Sequence, residues 1–200
     1  MTRIIAGTAR GRRLSVPPAG TRPTSDRVRE ALFDALAARM DFDDLRVLDL
    51  YAGSGALGLE ALSRGASEAL FVESDRRAAQ VIRRNIEVVG TGRATVRTGT
   101  VESVTRTPGT PHDLVFLDPP YVVDSAVVAG VLAELTTRGW LAADAVVVVE
   151  RSSRSPGIVW PEALAAAAER RYGETAVQIA HHRPDDAADS PAAGDSVSQS

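Results

Sequence analysis

The stretch Leu45-Arg-Val-Leu-Asp-Leu-Tyr-Ala-Gly-Ser-Gly-Ala-Leu-Gly58 predicts a buried strand that turns through glycines into a helix. Residues 45–50 are the predicted strand, and the helix runs from Ala56 to Arg64 and ends at Gly65. Glycine allows the tight turn and lets backbone N–H groups approach a ligand with no Cβ in the way. The stretch therefore indicates a strand-turn-helix unit of a parallel α/β sheet.

Strands and helices alternate along the rest of the chain. Further strands are predicted at Ala69–Val72, Ala94–Arg97, Leu114–Leu117, Ala145–Val149 and Thr175–Ala180. Helices are predicted at Val28–Leu36, after the helix-start residues 24–26, and at Arg76–Val89, Val101–Arg106, Asp124–Thr137 and Pro161–Arg171. Apolar strands separated by helices are typical of a mostly parallel sheet covered on both faces. The predicted fold class is therefore α/β, with a doubly wound sheet.

Two terminal segments differ from this main domain, which we place at residues 24–183. Residues 1–23 form a basic arm that reads as a β-hairpin, with strands at residues 3–7 and 12–16 and a turn around Gly7 to Gly11. The arm is too small to fold alone, so it must pack on the main domain or on a ligand. Residues 184–200 are poor in apolar groups and acidic, and we expect a disordered tail.

The composition excludes several chemistries. With no Cys, the chain has no disulfide, no thiolate metal site and no Cys nucleophile. All 23 Lys and Arg residues are Arg, which excludes the lysine of a P-loop and every Schiff-base mechanism. The three His and scattered acids do not make a metal site, so we expect none. No apolar run approaches the ~20 residues that cross a bilayer, and the start lacks the apolar region of a signal peptide. We expect a cytoplasmic monomer.

The net charge of −3 is unevenly distributed. Residues 1–24 contain no acid and five arginines, and more follow at the start of the first helix. For a nucleic-acid partner the local patch matters more than the sum, because phosphates are contacted one arginine at a time. An RNA contact and a solvated surface are both compatible with these residues: Arg3, Arg10, Arg12, Arg13, Arg22, Arg27 and Arg29.

The glycine pattern Gly53-x-Gly55-x-x-Gly58 fits either a dinucleotide or S-adenosylmethionine. Glu73 lies 20 residues after Gly53 at a strand end, where a carboxylate accepts hydrogen bonds from ribose hydroxyls. Asp49 favours S-adenosylmethionine, because an acid there meets the cationic amino group of the methionine moiety and would repel a pyrophosphate. A cap on the next helix for Asp49, and a surface position for Glu73, are the structural alternatives.

The adenine ring is expected beside Thr98-Gly-Thr-Val101, directly after the predicted strand Ala94–Arg97. A carboxylate that accepts from the adenine amine would be expected here, and Thr100 or a backbone group has to substitute for it. The candidate cofactor-binding residues are Asp49, Tyr51, Ala52, Gly53, Ser54, Gly55, Glu73, Ser74, Thr100, Val101 and Asp118.

The tetrapeptide Asp118-Pro119-Pro120-Tyr121 follows the strand Leu114–Leu117. The two prolines fix a rigid loop at the carboxyl edge, where ligands of α/β sheets bind. Methyl transfer to an exocyclic base amine requires acceptors for both amine hydrogens, and Asp118 and the carbonyl of Pro119 suit these roles. Tyr121 would stack on a base that has left its helix, although it could instead fill the sheet edge. The four residues are the candidate catalytic residues.

These motifs resemble the RsmD family of methyltransferases over about residues 2 to 181. The resemblance rests on Asp118 to Tyr121, the glycine stretch, Arg3-Ile-Ile-Ala-Gly, Gly11-Arg-Arg-Leu, Arg22-Pro-Thr-x-Asp-Arg-Val-Arg-Glu30 and Gly58-Leu-Glu-Ala-Leu-Ser-Arg64. It implies a Rossmann-like class I S-adenosylmethionine methyltransferase fold with a seven-stranded sheet and an N-terminal hairpin. It further implies methylation of guanine N2 in 16S rRNA, within a small ribosomal subunit or its precursor, with Thr24 and the arm arginines on the RNA. Thr100 departs from the family's usual Asp.

Three other functions remain open on the residues alone. The tetrapeptide is shared with adenine-N6 and cytosine-N4 DNA methyltransferases, although the chain has no room for a separate target-recognition domain. A NAD-binding oxidoreductase would use the same glycine pattern. A non-catalytic RNA-binding assembly factor would need the arm but not Asp118.

Overall fold

A computed structural model of the chain describes residues 2–17, 25–90 and 92–184. The strands are β1 (Thr2–Arg3), β2 (Arg13–Leu14), β3 (Arg46–Leu50), β4 (Glu68–Glu73), β5 (Arg93–Thr98), β6 (His112–Leu117), β7 (Leu141–Ser152), β8 (Leu164–Tyr172) and β9 (Thr175–His182). The helices are α1 (Asp26–Ala37), α2 (Ala56–Ser63), α3 (Arg76–Val89), α4 (Val101–Thr105) and α5 (Ser125–Thr137).

Seven strands form one sheet in the order β5-β4-β3-β6-β7-β9-β8. The pairs from β5 to β7 are parallel, and β9 pairs antiparallel with both β7 and β8. The predicted α/β fold and its mostly parallel seven-stranded sheet are therefore confirmed. The direction of chain progression reverses between β3 and β6, which is where ligands bind in doubly wound sheets.

Two apolar clusters cover the faces of the sheet. The first contains α1, α2, α3 and the hairpin of β1 and β2, with Phe33, Phe71 and Phe116 among its buried side chains. The second contains α4 and α5, with Trp140 at its edge. The strands alternate between the clusters, since Phe116 and Val148 face the first and Leu117 and Val149 face the second.

The helix predicted at Pro161–Arg171 is wrong, because this segment contains strand β8. Its residues pair along β9 from Leu164, opposite His182, to Tyr172, opposite Thr175. The hairpin turns at Gly173, whose φ of 63° suits glycine. Alanine has the highest helix propensity of all residues, but propensity is a weak determinant that tertiary contacts override, and here backbone pairing with β9 outweighs it.

The N-terminal hairpin is confirmed, and it is docked on helix α2. The Glu60 carboxylate, fully buried, accepts from the backbone N–H groups of Ile5 at 2.7 Å and Ala6 at 3.0 Å. The Ser63 hydroxyl accepts from the Ala9 N–H at 2.9 Å. At Gly7, φ is 80° and an added Cβ would lie 1.7 Å from the Ser63 carbonyl oxygen. The arm therefore has a fixed position relative to α2.

Candidate active site

The turn after β3 places backbone N–H groups at the carboxyl edge of the sheet. Gly53 and Gly55 have φ values of 56° and 75°, and Gly55, the N-cap residue of α2, has no side chain of its own to cap the helix. Tyr51 also has a positive φ, 60°, which is uncommon for a residue with a side chain. Such conformations concentrate at functional sites. The turn is thus shaped for a ligand at the start of α2.

Asp49 is buried, with 1% of its surface exposed, and lines the cavity described below. One carboxylate oxygen accepts the Gly58 N–H at 2.9 Å, so Asp49 does cap α2. Burial, followed by the charge of Glu73, raises the pKa of Asp49 from 3.8 to about 7, against the lowering effect of the Gly58 hydrogen bond. A buried carboxylate of this kind is stabilised by an adjacent cation. The ammonium group of S-adenosylmethionine supplies such a charge.

Glu73 ends β4 with its carboxylate turned toward the glycine turn. One oxygen accepts from the Gly53 N–H at 2.8 Å, and the other accepts from the Asp75 N–H at 2.8 Å. These bonds hold the side chain in one orientation at the cavity wall. A fixed carboxylate next to the glycine turn suits the ribose hydroxyls of a nucleoside.

The predicted adenine side of the cavity contains a residue that the sequence reasoning missed. Thr100 is the N-cap of α4, and its hydroxyl accepts from the Ser103 N–H at 3.2 Å. Glu102 lines the cavity and accepts a 3.1 Å hydrogen bond from the Tyr51 hydroxyl. Burial, and then the neighbouring Glu102 charge, raise the pKa of Tyr51, so the phenol stays protonated and donates. Glu102 thus places a carboxylate near the position where Thr100 lacks one.

The loop after β6 opens on the same cavity. The Asp118 N–H contacts the Leu50 carbonyl at 3.5 Å, which ties the loop to β3. The Pro120 carbonyl accepts from the Val123 N–H at 2.9 Å and closes a turn. Tyr121 is 56% exposed, so it does not fill the sheet edge. Its ring is available to a ligand from solvent.

A cavity of about 580 Å³ joins these elements at the reversal between β3 and β6. The volume falls within the ~300–1,000 Å³ of small-molecule sites. Every predicted cofactor and catalytic residue lines it except Gly55, which acts through the backbone turn. Arg29, Glu102 and Glu150 also line it and were absent from the predicted site. Glu150 directly follows the predicted strand Ala145–Val149, so the sequence could have predicted its position at the carboxyl edge of the sheet.

Arg29 was grouped with the surface arginines, and the structure corrects this. Its side chain is fully buried, and Nη2 donates to the Asp26 carboxylate at 3.0 Å and to the Arg3 carbonyl. Nε lies 4.0 Å from the Glu60 carboxylate. In the part of the chain that the structure describes, Nε and Nη1 have no hydrogen-bond partner. Arg29 shares a helix face with Leu32 and with other buried residues of α1, which explains its burial.

The remaining predicted RNA-contact residues that the structure describes are exposed: Arg3, Arg10, Arg12, Arg13 and Arg27. Arg12 also donates to the carbonyls of Val88 and, at 2.8 Å, Val89, where it caps the end of α3. Arg22, Thr24 and the tail from residue 185 onward lie outside the described residues.

Among residues 2–17, 25–90 and 92–184, no group of three or more acidic or His side chains is arranged to hold a metal ion. No helix in the same ranges is long and apolar enough to span a membrane.

Comparisons with known proteins agree with the fold and show the family. The family described as conserved hypothetical protein 95 matches residues 2–181. The ribosomal RNA small subunit methyltransferase D of Escherichia coli (strain K12) is 46% identical over 153 residues, which cover 74% of this chain and 73% of that protein. A solved structure of the Escherichia coli protein yhhF has a TM-score of 0.79 at 40% identity, covering 91% of this chain and 98% of that one.

A more distant solved structure shares the fold alone. The magnesium protoporphyrin IX methyltransferase of Synechocystis PCC 6803, with S-adenosylmethionine bound, has a TM-score of 0.61 at 13% identity and covers 78% of each chain. The fold is thus that of a class I methyltransferase. The family match and the 46%-identical methyltransferase give S-adenosylmethionine as the cofactor. Within that class, the chain belongs to the RsmD family.

Proposed function

We propose that this enzyme methylates the exocyclic N2 amine of a guanine in 16S rRNA. The observation that carries the proposal is the shared cavity, which the Asp118 loop, Asp49 and Glu73 line together at the carboxyl ends of β6, β3 and β4. The name of the Escherichia coli relative supports ribosomal RNA of the small subunit as the substrate. That name gives neither the base nor the methylated nitrogen, and we propose both.

The residues present fit the cofactor at three points. Asp49 would pair with its ammonium group, Glu73 with its ribose hydroxyls, and the Val101 end of the cavity with its adenine. The bound cofactor supplies a methyl group on a positively charged sulfur. The cavity lining includes five carboxyl groups and, among the described residues, one guanidinium, that of Arg29. This balance favours a cationic cofactor and opposes the pyrophosphate of NAD.

The Asp118 loop would prepare the amine for transfer. The Asp118 carboxylate accepts one amine hydrogen and the Pro119 carbonyl accepts the other, which directs the nitrogen lone pair away from the ring. The carboxylate also stabilises the positive charge that develops on nitrogen and takes the released proton. Tyr121 stacks on the extruded base, since its exposed ring adjoins the cavity.

The arm would bind RNA outside the cavity. Arg3, Arg10, Arg13 and Arg27 are exposed on the hairpin and at the start of α1, where they can contact phosphates. We therefore propose residues 1–23 as an RNA-binding extension of the catalytic domain at residues 24–183. The proposal includes action as a monomer in the cytoplasm, where its substrate lies, on the subunit or its precursor.

A methyl-transfer assay tests the proposal. Tritium-labelled S-adenosylmethionine is offered with undermethylated small subunits, naked 16S rRNA or DNA, and labelled nucleosides are identified by mass spectrometry. We expect N2-methylguanosine from 16S rRNA. Label only in N6-methyladenine or N4-methylcytosine of DNA would contradict the proposal.

The Asp118→Asn variant separates catalysis from binding. It should retain affinity for S-adenosylhomocysteine and lose roughly 100-fold or more in methyl transfer, since a charged acceptor at the reacting amine is removed. Wild-type transfer by this variant would exclude the assigned role and favour a non-catalytic assembly factor. Calorimetry that detects NAD but not S-adenosylhomocysteine would favour an oxidoreductase.

A further inference from the structure

Glu150 lies beside Asp118 at the carboxyl edge of the sheet. In the parallel pair of β6 and β7, Leu117 is opposite Val149, so Asp118 and Glu150 are the next residues along the two strands. Neighbouring strands are about 4.8 Å apart. Glu150 is half-buried, and both carboxylates line the cavity. The two side chains can therefore contact one small planar ligand.

Both side chains leave the sheet on the same face. Leu117 and Val149 face the cluster of α4 and α5, and side chains alternate along a strand. The following residues, Asp118 and Glu150, thus project to the opposite face, the one toward which Asp49 also points. Asp49 is opposite Phe116, so Asp118 and Glu150 lie two residues further toward the carboxyl edge than Asp49.

Bases with an exocyclic amine differ at the ring nitrogen beside it. In guanine the N2 amine lies between N3, an acceptor, and N1–H, which donates a hydrogen bond on the Watson–Crick edge. In adenine the N6 amine adjoins N1, and in cytosine the N4 amine adjoins N3; both ring nitrogens are unprotonated acceptors. A carboxylate at this position accepts from guanine and faces a lone pair in the other two bases.

We propose that Glu150 accepts the N1–H of the target guanine and so selects guanine over adenine and cytosine. This inference rests on the proposed function and deepens it. The Asp118 tetrapeptide can bind the amine of any of the three bases. The Glu150 carboxylate, on the next strand, contacts the ring nitrogen beside that amine and so distinguishes the bases. A site built to pair a polar group of its substrate rejects analogues that leave that group unpaired.

The test replaces the target guanine by 2-aminopurine. This base keeps the 2-amine but lacks the 6-oxo group of guanine, so its N1 is unprotonated. After the methylated guanine has been mapped, 16S rRNA carrying either base at that position is assembled by splint ligation. For each enzyme, the ratio of kcat/KM for guanine RNA to that for 2-aminopurine RNA is measured. Because both RNAs are measured with the same enzyme, a variant with a lower overall activity can still be compared with the wild type through this ratio.

For the wild type we expect a ratio of about 100 in favour of guanine. In Glu150→Gln the amide can donate to N1 of 2-aminopurine, so the ratio should fall roughly tenfold or more. Glu150→Asp keeps the carboxylate, and its ratio should stay above that of Glu150→Gln even if its rate falls. Glu169→Gln, on the exposed face of β8, is the matched control and should keep the wild-type ratio.

Two outcomes would overturn the inference, and they are distinguishable. If the wild type forms no N2-methylguanosine, the proposed function fails and this inference with it. If the wild type forms N2-methylguanosine and Glu150→Gln slows both RNAs equally, the proposed function stands and the role of Glu150 is refuted.

Discussion

The buried carboxylate of Asp49 makes cofactor affinity depend on pH. Only ionised Asp49 attracts the ammonium group of the ligand, and its pKa in the cofactor-free protein is about 7. At pH 5.5 only a few per cent of the molecules carry the charge. Binding at pH 5.5 should therefore be roughly 30-fold weaker than at pH 8, a difference of about 2 kcal/mol. Above pH 7.5 the affinity should level off.

Calorimetric titration with S-adenosylhomocysteine from pH 5.5 to 8.5 measures this profile. Asp49→Asn keeps an oxygen that can accept the Gly58 N–H but carries no charge, so its affinity at pH 8 should be roughly 10- to 100-fold lower and independent of pH. Asp144→Asn, an exposed position with a φ of 59° that Asn tolerates, is the control. A flat wild-type profile, or the same slope in Asp49→Asn, would refute the reasoning.

The same group affects the stability of the cofactor-free protein with a defined sign. Because its folded pKa is raised, the native state binds a proton between pH 3.8 and about 7 that the unfolded chain releases. The free energy of unfolding should thus fall as pH rises through this window, by up to about 4 kcal/mol from this group. The free energy of unfolding of Asp49→Asn should not fall in this window, so this variant should be more stable than the wild type at pH 8. Denaturant titrations at pH 5 and pH 8 check the sign.

Three further predictions concern the arm, its anchor and the stacking residue. Gly7→Ala should lower the midpoint of thermal unfolding well below that of Gly11→Ala, because both positions have positive φ but only at Gly7 does a Cβ meet backbone; equal midpoints would exclude the docking contact. Glu60→Gln removes the buried charge that pairs with Arg64 at 2.9 Å and lies 4.0 Å from Arg29, and it should destabilise the protein by about 3–5 kcal/mol in urea. A loss under 1 kcal/mol would contradict a stabilising role for this charge. Tyr121→Ala should reduce kcat/KM for RNA roughly 10-fold or more through lost stacking while Tyr121→Phe retains it; equal losses in both would argue for the hydroxyl instead.

Local patterns account for what the sequence predicted correctly. The glycine turn, the parallel strands and α3 follow from short-range periodicity and from glycine at positive φ, and α3 begins and ends at the predicted residues. The cavity that the predicted residues line at the reversal between β3 and β6 follows as well, because parallel strands bring their carboxyl ends to one edge. Thus residues from distant segments, such as Asp49 and Asp118, could be placed together from the sequence.

The failures have a common cause in tertiary contacts. Residues 161–171 have helical composition, but the free edge of β9 determines their conformation. Arg29 was judged by its charge, although its position on the apolar face of α1 and the carboxylate of Glu60 determine its burial. In each case the deciding partner is remote in sequence or is a backbone group.

The distribution of charge links the arm to the chemistry. Phosphates would be attracted to the exposed arginines of the hairpin and opposed by the carboxylates of the cavity, so a base can enter only after it is turned away from its own backbone. Glu60 and Ser63 fix the hairpin on α2, which also begins at the glycine turn, so the distance from arm to cavity is set by one short helix. Deleting the arm would expose the buried Glu60 carboxylate and the apolar face under Ile4 and Leu14. The RNA-binding role must therefore be tested by single changes of exposed arginines, since truncation would impair folding and binding together.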